Sequence, residues 1–137
     1  MKDGVLLDTC ALLWLVEKAP FGEQALARVD GAAREGRLFV SSVSAWEAGA
    51  LAASGRLVFS MPLPDWFDAV LALPGVRLLD LTPRIQIDSS YLPGRPPGDF
   101  ADRLFAAAAR AHSLTLVTRD KALLDYAGEG HLRALAC

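Results

Sequence analysis

The sequence predicts an α/β protein, a three-layer α/β/α sandwich around a central, mostly parallel sheet. Three observations carry that prediction. Short apolar runs such as "GVLLD", "RLFVSS", "VRLLDL" and "LTLVT" alternate with segments whose apolar residues recur at helical spacing. Strands separated by helices pair in parallel through right-handed crossovers, which leaves helices on both faces of one sheet. The hydrophobic fraction is 53%, much of it Ala and Leu, a composition that favours helices packed closely on another layer. With 137 residues, the chain can bury a core as one domain, residues 1–137, without disulfide staples.

The elements follow in order. "GVLLD" is a strand stopped by Asp8, and "TCALLWLVEK" a helix with Leu12, Leu13, Leu15 and Val16 at helical spacing before the break "APFG". "EQALARVDGAAREG" is a second helix closed by Gly36, and "RLFVSS" a second strand. The helix "VSAWEAGALAASG" ends on Gly55, whereas "LPDWFDAVLALPG" has Pro64 near its start and Pro74 and Gly75 at its end. "VRLLDL" is the third strand, "TPRIQIDSSYL" a short helix, and "PGRPPG" a stiff loop. "DFADRLFAAAARAHS" is a long helix, "LTLVT" the fourth strand, "DKALLDY" a short helix, and "HLRAL" a weak last strand. No linker or repeat divides them.

Composition narrows the function. A net charge of −2 gives no basic field to attract nucleic acid, so any such site is built from a local patch. Cys10 and Cys137 sit at opposite ends of the chain with no spacing motif, which reads as buried or incidental reduced thiols in a cytoplasmic protein. The apolar run near the N-terminus is interrupted by Asp8 and is too short for a membrane span or a signal peptide. The apolar surplus implies a face covered by a partner, and Trp14, Trp46, Trp66 and Phe67 are the large side chains able to line a groove for an apolar helix. For most of these, core packing is the commoner fate, and Trp46 is expected to support its neighbour Glu47.

Four acids occupy comparable places. Asp8 ends the first strand, Glu47 lies in the first turns of the helix after the second, Asp102 opens the long helix, and Asp120 ends the fourth strand. Each has a structural reading: Asp8, Asp120 and Asp99 fit N-caps, and "SAWE" from Ser44 to Glu47 fits a capping box. Caps occur at every helix start, however, whereas a parallel sheet would gather these acids on its carboxyl edge, where ligands bind. Clustered carboxylates repel unless a cation lies among them, and an all-oxygen donor set suits Mg²⁺ or Mn²⁺. The chemistry that follows is metal-assisted phosphodiester hydrolysis. Asp99, one turn before Asp102 on the same helix face, is an auxiliary acid that caps the helix and orients a water or a second ion. Thr9 and Thr118 flank the edge, placed to hydrogen-bond a carboxylate or a metal-bound water, or to act as plain caps. Arg103, Arg119 and Lys121 are placed to hold substrate phosphates, or are simply solvated.

The segments "LLDTCALLWL", "SSVSAWEAGALAASGRL" and "DFADRLFAAAARAHSLTLVTRD" occur in the order and spacing of a PIN-domain ribonuclease, and the chain resembles most closely the VapC-type toxins of bacterial toxin-antitoxin pairs. The resemblance implies a PIN-like sandwich, an acidic quartet of Asp8, Glu47, Asp102 and Asp120 binding Mg²⁺ or Mn²⁺, and endonucleolytic cleavage of RNA. It also implies a homodimer held inactive in the cytoplasm by a cognate antitoxin. One stretch departs from the pattern: related toxins often carry H-x-D-P-F-D-R where this chain has "PPGDFADR". Neither His112, about three turns down the long helix, nor His131 replaces the missing His. The competing readings are a catalytically silent binding module, a housekeeping PIN nuclease without antitoxin, and a phosphohydrolase with Asp8 as nucleophile. The last lacks a second Asp two residues on and a clear partner lysine.

Overall fold

The computed structural model describes residues 4–137. Its five strands are β1 (Val5–Leu7), β2 (Leu38–Ser41), β3 (Val76–Leu79), β4 (Thr115–Thr118) and β5 (Ala134–Ala136). The helices are α1 (Thr9–Val16), α2 (Glu23–Arg34), α3 (Ser42–Ala53), α4 (Leu63–Leu71), α5 (Pro83–Asp88), α6 (Phe100–Ala111) and α7 (Lys121–Gly128). The strands form one sheet in the order β3-β2-β1-β4-β5, and every pairing is parallel. The α/β sandwich expected from the sequence is therefore present.

β1 and β4 are buried along their whole length because both faces of the sheet are covered. Leu6 and Leu116 point into a core with Ile85, Leu104, Phe105 and Tyr126 from α5, α6 and α7. Val5, Leu7, Val40 and Val117 point the other way, against Leu12, Val29, Phe67 and Val70 from α1, α2 and α4. In α6 the alanines 106–109 are all buried. Ala is the best helix former, and its lone methyl lets the helix lie close to the sheet. Gly75 shows a similar closeness: its φ is +81°, and a Cβ there would meet the Ala33 carbonyl oxygen at 1.8 Å, so only glycine admits the turn into β3 under α2.

The last strand differs from expectation. "HLRAL" was to form it, but pairing begins at Ala134 opposite Leu116 and ends at Ala136 opposite Thr118. Leu132 is drawn into the core instead, and His131 packs against the Tyr126 ring with centroids 5.3 Å apart. Packing against α7 thus overrides the apolar pattern at the start of that segment.

From β1 the chain steps outward to β2 and β3, then returns to place β4 and β5 on the other side. The order reverses between β1 and β4, and in open parallel sheets the crevice at such a reversal, beyond the carboxyl ends, is where ligands bind.

Candidate active site

Asp8 is the first residue after β1, and its carboxylate is spoken for at both oxygens. The Ala11 N–H donates to Oδ1 at 2.7 Å, capping α1, and the Thr118 hydroxyl donates to Oδ2 at 2.5 Å. The residue is only 5% exposed. Thr118 Oγ1 in turn accepts from the Asp120 N–H at 3.0 Å, and Asp120 caps α7 by accepting from the Leu123 N–H at 3.0 Å. One hydroxyl therefore couples β1, β4 and the start of α7. A nucleophilic role for Asp8 fits poorly with both of its oxygens engaged.

Glu47 is held differently from expectation. The capping box from Ser44 to Glu47 does not form, because α3 starts earlier: Ser41 is its cap and accepts from the Val43 N–H at 3.0 Å. Glu47 is thereby set into the second turn, where it accepts from the Thr9 hydroxyl at 2.5 Å. The buried Ser44 hydroxyl lies 3.0 Å from the same Thr9 oxygen, tying α1 to α3. Asp99 caps α6 by accepting from the Asp102 N–H at 3.0 Å. Asp102 sits in the first turn and is not a cap. Capping accounts for Asp8, Asp99 and Asp120; it does not account for Glu47 or Asp102.

Asp8, Glu47, Asp102 and Asp120 come from four separate elements and border one cavity of about 360 Å³. Their fields overlap. Burial raises the Asp8 carboxyl to about 6 against the lowering effect of its Thr118 and Ala11 hydrogen bonds, with Glu47 and Asp120 adding to the rise. Burial also raises Asp102, to about 7, helped by Asp120, Asp99, Asp8 and Glu47. Glu47 is raised by burial and by Asp99, against the Thr9 hydrogen bond. Such mutual repulsion between oxygen donors is the condition a hard divalent cation relieves. Among the described residues, no group of three or more His, Cys, Asp or Glu side chains is arranged to hold a metal ion by itself. An all-oxygen donor set is of the kind that Mg²⁺ accepts while keeping much of its water shell.

The three basic residues named from the sequence are dispersed. Lys121 donates to Asp125 at 2.7 Å on the exposed face of α7. Arg119 lies over the Trp14 ring, 3.7 Å from its centroid, and donates to the Pro20 carbonyl at 3.0 Å. Arg103 lies within electrostatic reach of Tyr126. A larger hollow of about 620 Å³, lined by Arg110, His131 and Arg133, lies beside the start of β4, and among the described residues no carboxylate side chain lines it. His112 is the C-cap of α6, as expected.

Among the cysteines and aromatic residues, Trp46 is the one that departs from the sequence reading. Cys10 is exposed, because the Asp8 cap sets the phase of α1 so that Thr9, Ala11 and Leu12 turn inward. Cys137 is half-buried, its N–H donating to the Thr118 carbonyl at 3.2 Å. The two cysteines thus lie near Asp8 and Arg119, which act on both thiols. Trp46, expected to support Glu47, is 60% exposed. Phe67 is buried and Trp66 packs between Phe59 and Phe67, whereas Trp14 borders the acidic cavity. Glu17, Leu51, Leu57 and Phe105 also border it and were not singled out from the sequence; no short-range pattern marks residues that meet only in the folded chain.

Residues 5–129 match the PIN domain family. The chain is 32% identical over 123 residues to Ribonuclease VapC22 of Mycobacterium tuberculosis (strain ATCC 25618 / H37Rv), an alignment that covers 89% of this chain and 91% of that protein. Its fold is similar to a chain in VapBC2 from Rickettsia felis bound to a DNA fragment from their promoter, with a TM-score of 0.67, 17% identity, and coverage of 96% and 97% of the two chains. It is also similar to a chain in a toxin-antitoxin complex from Klebsiella pneumoniae, with a TM-score of 0.59, 20% identity, and coverage of 94% and 95%.

Proposed function

Since this chain belongs to the PIN-domain family, we propose that it is a metal-dependent endoribonuclease and the toxin of a toxin-antitoxin pair. The observation that carries the reading is the meeting of Asp8, Glu47, Asp102 and Asp120 around one cavity at the point where strand order reverses. The relative named a ribonuclease, aligned over most of both chains, supports the substrate class.

In this reading the four carboxylates hold Mg²⁺ or Mn²⁺. When bound, the ion lowers the pKa of a water and offsets charge on the phosphate. The chain's own residues supply position. Thr118 and Thr9 fix the Asp8 and Glu47 carboxylates through short hydrogen bonds, so neither has to reorganise when substrate arrives. Asp99 is anchored through Oδ2 and orients the attacking water with its other oxygen. Hydrolysis adds that water across one P–O bond of the RNA. Arg103 and Lys121 act on substrate phosphates, Lys121 after leaving Asp125, and Arg119 does so from its place over Trp14. A cognate antitoxin, a homodimer and a cytoplasmic setting complete the proposal. Among the described residues, no helix is long and apolar enough to cross a membrane.

The test is metal depletion and add-back. Purified chain, free of antitoxin, is expected to cut RNA internally with Mg²⁺ or Mn²⁺, to stop in EDTA, and to resume when the ion is restored. Cleavage indifferent to the chelator, or no cleavage with either ion, contradicts the reading.

A further inference from the structure

The cavity has a second half that the hydrolytic chemistry does not use. Leu13, Trp14, Leu51, Leu57 and Phe105 supply its apolar lining, with Glu17 a further acid at its border. Trp14 is not loosely placed there. Arg119 covers the ring at 3.7 Å and is itself fixed to the Pro20 carbonyl, while the indole N–H lies against the Cys10 sulfur. A half-exposed aromatic ring held at two points is pre-organised, which lowers the entropy cost of receiving a flat ligand. At about 360 Å³, the cavity lies at the small end of the range that ligands occupy.

We propose that this apolar half receives one unpaired nucleobase beside the scissile phosphate, with Trp14 as the surface against which it stacks. The proposal rests on the ribonuclease reading above. Electrostatics argues for it: the net charge is −2 and the cavity is lined with acids, so the chain itself offers RNA little long-range attraction. Contacts that do not depend on backbone charge then add to what the cation and the few basic residues supply. Stacking is such a contact, and it tolerates any base because every base has a π-face. A paired base cannot reach a recess of this kind, so the RNA is single-stranded where it is cut.

The experiment compares a short single-stranded RNA with the same RNA made abasic at the residue on either side of the cut, in wild type, Trp14→Phe and Trp14→Leu. The abasic site on one side is expected to lower kcat/KM about tenfold to a hundredfold, mainly through KM. Trp14→Phe should keep most of the activity. Trp14→Leu should lose as much as the abasic RNA, with no further loss when the two are combined. In EDTA, intact RNA should quench tryptophan fluorescence more than abasic RNA, and Trp14→Phe should remove that difference. Equal cutting and binding of both RNAs overturns the proposal, and so does a folded Trp14→Leu with unchanged kcat/KM, including one that loses only inhibition by a protein partner. If wild type cuts no RNA, the ribonuclease reading itself falls; if it cuts while ignoring both Trp14 and the missing base, only this inference does.

Discussion

At the scale of single residues, Asp8 carries two duties that pull in opposite directions. As the cap of α1 it accepts a backbone N–H, which favours its ionised form, yet it is buried beside other acids and its carboxyl is raised to about 6. A raised folded-state value means that the native chain prefers the protonated group. The stability that Asp8 contributes is fully present below about pH 4 and is lost as pH rises through about 6. A rise of about two units corresponds to about 3 kcal/mol withheld at higher pH. Asp8→Asn keeps a cap oxygen for Ala11 and an amide for Thr118. In metal-free protein it is expected to stabilise the fold by about 1–3 kcal/mol at pH 7.5 and by nothing at pH 4. Urea unfolding at the two pH values checks this, and a destabilised variant at pH 7.5 would show that the Asp8 charge is not under strain. Asp102, raised to about 7 by burial and by Asp120, has the same sign, but solvent screens it more. Metal-free wild type should therefore gain stability as pH falls from 7 towards 4.

At the scale of elements, most of the fold was legible in the sequence because its punctuation is local. Gly36, Gly55 and the Pro74–Gly75 pair end their helices as chain chemistry requires. Asp8, Asp99 and Asp120 start theirs. What could not be read is what depends on meetings between distant elements. Thr9 reaches Glu47 across 38 residues and Thr118 reaches Asp8 across 110; both hydroxyls had equally good readings as plain caps. The start of α3 moved because Ser41, Ser42 and Ser44 all lie near its N-terminus and the sequence alone does not rank them. β5 begins later than its apolar pattern because Leu132 is claimed by the core. α6 offers a test of packing. Ala106 has 0% exposure and faces the sheet, so Ala106→Leu is expected to cost about 1–3 kcal/mol through overpacking. A denaturant midpoint unchanged by that substitution would mean that the Ala-rich face does not fix the approach of α6.

At the scale of the whole molecule, the site is a product of topology. Asp8 follows β1, Glu47 rides on the helix after β2, and Asp102 and Asp120 stand on either side of β4. Only a wholly parallel sheet with its reversal between β1 and β4 brings all four to one edge. The sequence allowed that arrangement once alternating strands and helices were recognised, and it placed the four acids by strand-end position without their geometry. Because the carboxylates repel one another in the folded state and are dispersed in the unfolded one, a bound cation should stabilise the native chain. At a hundred times its Kd, Mn²⁺ is expected to add about 2.7 kcal/mol, and a shift in Tm on titration measures it. The most direct test of the central claim is single-turnover RNA cleavage with Mn²⁺ by wild type and by Asp102→Asn, with the folding of both verified by thermal melting. The quartet predicts a native-like Tm and a loss of at least about a hundredfold in rate for Asp102→Asn; a folded variant that cuts as fast as wild type would contradict it.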